Sequence, residues 1–147
     1  MKRLRKLRRL SALERRLLIK AALLLVAIRV GLSALPFPTV RRLLAAAAKT
    51  PVGLRKAEPS YTGSVVWAVE AAGRRLPAAS TCLTHALATQ LLLARREQPA
   101  LVRIGVTGGK GGEFEAHAWV ECGGEVVIGG HELERYTSLV ALEGESP

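Results

Sequence analysis

Two residues of this sequence, Cys82 and His117, could together perform nucleophilic chemistry. A cysteine attacks as its thiolate, and the unpaired amides and the dipole at the start of a helix stabilise that negative charge. Cys82 follows Ser80 and Thr81, both of which favour the start of a helix. A histidine on a later strand can accept the thiol proton when its ring lies within hydrogen-bond distance of the sulfur. The order of the pair therefore indicates Cys82 as a nucleophile and His117 as its base.

Each of the two residues also has a purely structural interpretation. Cysteine is among the most buried residue types, so a cysteine near a helix start more often packs in a core. A single histidine on a strand is often a hydrogen-bonded polar residue without a catalytic role. Spacing alone does not decide between packing and catalysis.

The elements that would position the pair follow from hydrophobic periodicity. Apolar residues at three- and four-residue spacing predict a helix over 82–96. Strands are predicted over residues 101–106, 114–121 and 125–128. Alternation along the middle strand places His117 on the side opposite Ala118, and Gly123 and Gly124 supply the tight turn that follows. One buried helix before an antiparallel sheet predicts the α+β class.

The N-terminal part of the chain is predicted to be helical. Ser11 and Glu14 have the spacing of a capping box, which starts a helix that runs to about Ser33. Two further helices are predicted, over residues 38–48 and 60–72. We expect Gly73 and Pro77 to end the last of these helices.

The length of 147 residues suits one compact unit with an N-terminal extension. The polar residues 54–60 include Pro59 and have the composition of a linker. The predicted organisation is therefore a basic helical segment at 1–58 and a core domain at 59–147.

Positive charge is concentrated at the N-terminus. The net charge is +10, and nine of the 22 lysines and arginines fall within the first 20 residues, against Glu14 alone. No aromatic residue interleaves with these charges, so we expect no nucleic-acid binding. Weak association with an acidic membrane surface or an acidic partner explains the charges, and a solvated helix start explains them equally well.

Between Lys20 and Arg29 the chain has eight uninterrupted apolar residues. A membrane-spanning helix needs about 20, so we expect this stretch not to span a membrane or to direct secretion. A cytoplasmic protein follows, in which both cysteines are free thiols.

Three segments carry a resemblance to a known family. They are residues 81–96, which begin Thr81-Cys82-Leu83-Thr84-His85, residues 101–106, and Ala116-His117-Ala118-Trp119-Val120-Glu121. They resemble the lasso-peptide leader peptidases, the transglutaminase-like B proteins of the microcin-processing type. The resemblance covers the chain from about residue 10 onwards, and the His117 strand is its most specific part. It implies a papain/transglutaminase-like core in which a nucleophile-bearing helix packs on a small antiparallel sheet.

The resemblance also implies an activity and partners. Cys82 and His117 would be the catalytic residues of a cysteine peptidase that removes the leader from a ribosomally made precursor peptide, without a cofactor or metal. A separate leader-recognition protein would deliver the precursor, since residues 1–60 are predicted to be helical rather than a small winged domain. An ATP-dependent macrolactam synthetase would then close the ring.

The sequence departs from the family at the third catalytic position. Family members with a full triad carry an aspartate about twelve residues after the histidine, and Gly129 stands there in this chain. Backbone carbonyls of Gly129 or Gly130 are then the groups available to orient the His117 ring. Acids that remain open as alternatives are Glu121, Glu125 and Glu132.

The same residues are also compatible with a different class of protein. Cys82-x-x-His85 and His117-x4-Cys122 together provide two thiols and two imidazoles, the ligand set of a Cys2His2 zinc site in a non-catalytic binding module. Strand alternation argues against this site, because Cys122 and His117 have opposite parity and should point to different sides.

Overall fold

A computed structural model describes residues 9–49, 59–108, 114–131 and 133–143. Within these ranges the helices are α1 (Ala12–Ala34), α2 (Phe37–Ala48), α3 (Pro59–Arg75) and α4 (Cys82–Ala94). The strands that follow are β1 (Ala100–Gly108), β2 (Phe114–Cys122), β3 (Glu125–Ile128) and β4 (Thr137–Glu143), with short 3-10 turns at Pro77–Ala79 and Leu133–Arg135. Helices followed by an antiparallel sheet confirm the predicted α+β class.

Helix α1 begins with the predicted capping box. The Ser11 amide donates to the Glu14 carboxylate at 2.7 Å, and the Glu14 amide donates to the Ser11 hydroxyl at 3.1 Å. Each side chain thereby satisfies a backbone amide that the first turn leaves without a helical partner. The helix ends just before Pro36, which cannot continue it.

The prediction that Gly73 ends the third helix is wrong. Helix α3 passes through Gly73 and continues to Arg75. A Cβ at Gly73 would contact the His85 ring, 2.6 Å from Cε1, and would lie 3.0 Å from the Ser80 hydroxyl. Gly73 is therefore a close-packing residue in the helix, where it leaves space for the His85 ring.

The four strands form one antiparallel sheet in the order β3-β2-β1-β4. Val102 of β1 pairs with Val120 of β2, and both side chains are fully buried. Strand β4, which pairs with β1 at the edge, was not predicted. Its first three residues, Thr137, Ser138 and Leu139, are all exposed, so this part of the strand does not alternate between buried and exposed positions.

Helix α4 lies at the centre of the core. It contacts α1, α3, β1 and β2, and its Leu87 and Leu93 are almost completely buried. Leu25 of α1 and Val65 of α3 belong to the same hydrophobic cluster. Part of the predicted linker, residues 54–58, lies outside the described residues, and the domain boundary near residue 58 stays a prediction.

By length and composition, α1 is apolar enough to cross a membrane. An 18-residue window of the helix has a mean hydropathy of 2.1, and 28% of it is buried against the rest of the chain. The run of eight apolar residues between Lys20 and Arg29 did not predict this hydropathy, because α1 continues past both charged residues. The finding is weak evidence for a span, since a core helix or a signal sequence has the same composition.

Candidate active site

Cys82 is the first residue of α4, as predicted, and its position is held by the cap before it. Thr81 is the N-cap residue, and its hydroxyl accepts from the Thr84 amide at 3.1 Å. The Thr84 hydroxyl accepts from the Thr81 amide at 2.9 Å and donates to the Ala79 carbonyl at 2.7 Å. Thr84 is completely buried, whereas Cys82 is exposed. A reactive thiol at this position would be both well placed and accessible.

One cavity, of about 450 Å³, brings Cys82 and His117 together. Its wall also includes Glu70, Ser80, His85 and Gly129. The cavity lies where the start of α4 faces the edge of the sheet at which β3 ends. The two residues predicted to carry the chemistry therefore share one concave site, and their catalytic roles stay a prediction.

The His117 ring is oriented by the backbone. Its Nε2 lies 2.7 Å from the carbonyl oxygen of Gly129. A carbonyl only accepts hydrogen bonds, so Nε2 carries the proton and Nδ1 is the nitrogen with a lone pair in the neutral ring. Tyr136 packs beside the ring at 5.0 Å between centroids, and Trp119 stacks on it at 6.2 Å. These contacts leave Nδ1 as the atom that can act as a base.

His117 lies on the side of β2 that also carries Trp119, whereas Ala118 and Val120 face the core. The cavity is at the margin of the sheet, where both His117 and Ala118 line it. Among the described residues, no hydrogen bond joins the Cys82 thiol to the His117 ring. Such bonds are often long in free enzymes and tighten when substrate binds, so a missing bond in the free protein is compatible with a catalytic pair.

Gly129 stands where the sequence resemblance implies an aspartate, and its backbone geometry does not fit that residue. Its φ of +77° lies in the left-handed region, and a Cβ at this position would lie 2.8 Å from the Ala118 carbonyl oxygen and 3.1 Å from Cα of Trp119. An aspartate would require the backbone to move. The Gly129 carbonyl instead occupies the position of a ring-orienting acceptor, as the sequence indicated.

His85 lines the same cavity one helical turn after Cys82. Its Nε2 lies 2.8 Å from the Ser80 hydroxyl, and Gly73 lies against the ring. Burial lowers the pKa of His85 below its ordinary value of 6.5, and the Glu70 carboxylate opposes that shift. His85 is therefore a neutral, hydrogen-bonded wall residue.

The acids proposed as third catalytic residues lie elsewhere or outside the described residues. Glu121 pairs with Arg103 at 2.9 Å and accepts from the Trp119 indole at 3.2 Å. The hydrogen bond from Arg103 is the main reason that the pKa of Glu121 is lowered. Glu125 pairs with Cys122 at the hairpin turn, and Glu132 is not described. Glu121 therefore holds Trp119 in place and does not contact the His117 ring.

The zinc alternative finds no support in the part of the chain that the structure describes. Cys122 is not in the wall of the cavity that Cys82, His85 and His117 line. No group of three or more histidines, cysteines or acids among these residues is arranged to hold a metal ion. Cys122 and His117 are an odd number of residues apart on β2, so their side chains point to opposite sides of the strand.

Sequence reasoning gave no role to Tyr136 or to the Thr84 hydroxyl. The Thr81-x-x-Thr84 spacing is a capping signal that could have identified Thr84. Tyr136 had no local signal for a contact with His117, because the chain passes through β3 and a loop before returning to the ring.

A family model described as the transglutaminase-like superfamily matches residues 22–141, which is most of the chain and includes the whole of α4 and of the sheet strands β1 to β3. No curated protein and no solved structure matches.

Proposed function

We propose that this chain, which belongs to the transglutaminase-like superfamily, is a cysteine peptidase that removes the leader from a ribosomally made lasso-peptide precursor. Proteins of this superfamily are generally cysteine proteases or transferases. The narrower assignment is supported by the resemblance of the Cys82 and His117 segments to the lasso-peptide leader peptidases.

One observation carries the proposal. An exposed cysteine at the first position of a buried helix shares a cavity with a histidine whose Nε2 is already occupied by a backbone carbonyl. The oriented ring leaves Nδ1 for the proton of Cys82, which is the arrangement a thiol nucleophile needs. A structural cysteine would more often be buried and away from such a ring.

The proposed reaction has two steps: Cys82 first forms a thioester with the leader, and water then hydrolyses that thioester. When the precursor binds, His117 Nδ1 takes the proton of Cys82 as the sulfur attacks the scissile carbonyl. The backbone amide of Cys82 belongs to the first helical turn and can donate to the developing oxyanion. His117 then protonates the leaving amine of the core peptide. Water, deprotonated by His117, releases the leader as a carboxylate and restores the thiol.

The orienting group is the Gly129 carbonyl and not an acid. A third catalytic group chiefly fixes the tautomer and orientation of the histidine. A carbonyl fixes both, but it supplies no negative charge to stabilise the imidazolium. We therefore expect the peptidase to depend more strongly on its partner proteins and its substrate, whose binding would complete the catalytic site.

The partners in this proposal follow from the product. Cleavage frees the α-amine of the core peptide, which an ATP-dependent macrolactam synthetase then joins to an acidic side chain. A separate leader-recognition protein presents the precursor to the cavity.

The test is cleavage of a candidate precursor in the presence of its recognition protein, followed by mass spectrometry. Cys82→Ala should abolish the appearance of leader and core fragments while the circular dichroism spectrum is retained. Cys122→Ser is the matched control, because it removes the other thiol outside the cavity and should leave cleavage unchanged. Cleavage by Cys82→Ala at the wild-type rate would overturn the assignment.

A further inference from the structure

The outward face of α1 is an exposed apolar stripe. Ile19, Leu23, Val26 and Val30 follow one another at spacings of four, three and four residues, which places them along one side of the helix. Their exposed fractions are 61%, 66%, 44% and 60%. We refer to these four residues as the outer stripe.

The inward face of the same helix is apolar too, and the protein already covers it. Leu17, Ala21, Leu25 and Ile28 are almost completely buried against the core. A helix that is apolar on every side is normally enclosed on every side. The chain encloses one side of α1, so the outer stripe has the composition of a surface that meets a second apolar environment.

Positive charge gathers at the N-terminal end of the outer stripe. Burial lowers the pKa of Lys20, and repulsion from the guanidinium groups of Arg95, Arg96 and Arg16 lowers it further. Arg95 and Arg96 follow the end of α4, so cations from two separate elements converge at this end of the stripe. In the sequence, six further lysines and arginines precede Leu10.

The shape of the outer stripe and the charge beside it indicate what kind of surface covers it. The stripe is entirely aliphatic and lies on a convex helix, whereas the energetically dominant residues of protein interfaces are enriched in Trp, Tyr and Arg and poor in Leu and Val. An aliphatic helix face beside a cationic cluster instead matches the boundary of acyl chains and anionic headgroups.

We propose that the outer stripe of α1 lies in the interface of an anionic lipid bilayer, with Arg16, Lys20 and the arginines after α4 on the lipid headgroups. The helix lies along the surface and does not cross it, because its inward face stays in the core. The proposal is independent of the peptidase activity.

The experiment is co-sedimentation of the full chain with vesicles of phosphatidylcholine alone and with vesicles that also contain phosphatidylglycerol. We expect binding to the anionic vesicles, weakened by added salt, and little binding to the neutral ones. The double variant Leu23→Gln/Val30→Gln should weaken binding at least about tenfold, because both side chains lose the apolar burial that binding provides. Leu139→Gln is the matched control, since Leu139 is 62% exposed but lies on β4.

Three results would each overturn the proposal. The first is no binding of the wild-type chain to anionic vesicles, which needs no variant to fold. The second is equal loss of binding in the double variant and in Leu139→Gln. The third is a wild-type dimer in sedimentation velocity that the double variant abolishes while vesicles bind neither form, which would assign the outer stripe to a second copy.

Discussion

The cavity and the outer stripe of α1 differ in how their side chains are held. In the cavity, the His117 and His85 rings each have a fixed hydrogen-bond partner, the Gly129 carbonyl and the Ser80 hydroxyl. The outer stripe consists of aliphatic side chains that no polar contact orients. Chemistry requires groups that are positioned to within a fraction of an ångström, whereas binding to an anionic lipid surface requires apolar area and nearby positive charge without such precision. The two proposals therefore make different demands on the two regions and can be tested separately.

The largest expected effect separates the two regions by activity. His117→Gln should lower the rate of precursor cleavage by about 10²–10⁴-fold, the usual contribution of a general base. Val26→Gln, on the outer stripe, should leave cleavage in the absence of membranes unchanged. The measurement is the rate of fragment formation by mass spectrometry. If Val26→Gln slowed cleavage as much as His117→Gln, the two regions would not be independent.

A second comparison contrasts the two faces of α1 by stability. Leu25→Ala should lower the free energy of unfolding by about 2–5 kcal/mol, because it leaves a cavity in the core. Leu23→Ala removes the same atoms from an exposed position and should change it by no more than about 0.5 kcal/mol. Urea unfolding followed by circular dichroism measures both. Equal losses would mean that the chain itself covers the outer stripe.

Gly129→Asp tests whether the family's acid can be restored. Strain at φ +77° and contact with the Ala118 carbonyl should lower the free energy of unfolding by about 1–3 kcal/mol without increasing cleavage. Gly123→Asp is the matched control, because Gly123 has a φ of +61° but no atom lies within 4 Å of its Cβ position. A more active Gly129→Asp enzyme would show that the backbone adapts and that an acid is the better orienting group.

The smallest effect is a dependence of stability on pH through His85. Because burial holds its folded pKa below 6.5, the unfolded chain binds more protons just below that pH. The free energy of unfolding should therefore decrease as the pH falls below about 6.5 and level off below the folded pKa. Above about pH 7 the contribution of His85 to the free energy of unfolding is fully present and no longer changes with pH. The measurement is the difference between wild type and His85→Gln across this window, and a difference independent of pH would contradict burial of the imidazole as the cause.

Much of the fold was predictable because its signals are local. The capping box of α1, the prolines and the three-to-four periodicity are properties of neighbouring residues, and they placed the helices to within a few residues. Gly73 was misjudged because its reason for being glycine, the His85 ring, lies twelve residues away in sequence. Strand β4 was missed because its first two residues, Thr137 and Ser138, are both polar and begin no alternating pattern.

The sequence by itself determined which residue types are available for chemistry: a cysteine at a helix start, a histidine on a strand, and a glycine twelve residues after that histidine. Only the tertiary structure decided that the Gly129 carbonyl orients the ring, that Glu121 is committed to Arg103, and that one side of α1 is left uncovered. These are contacts between distant segments, and such contacts are set by packing and chain topology and not by local preference. The sequence could therefore name the participants, while the packing of the sheet edge against α4 decided which of them meet.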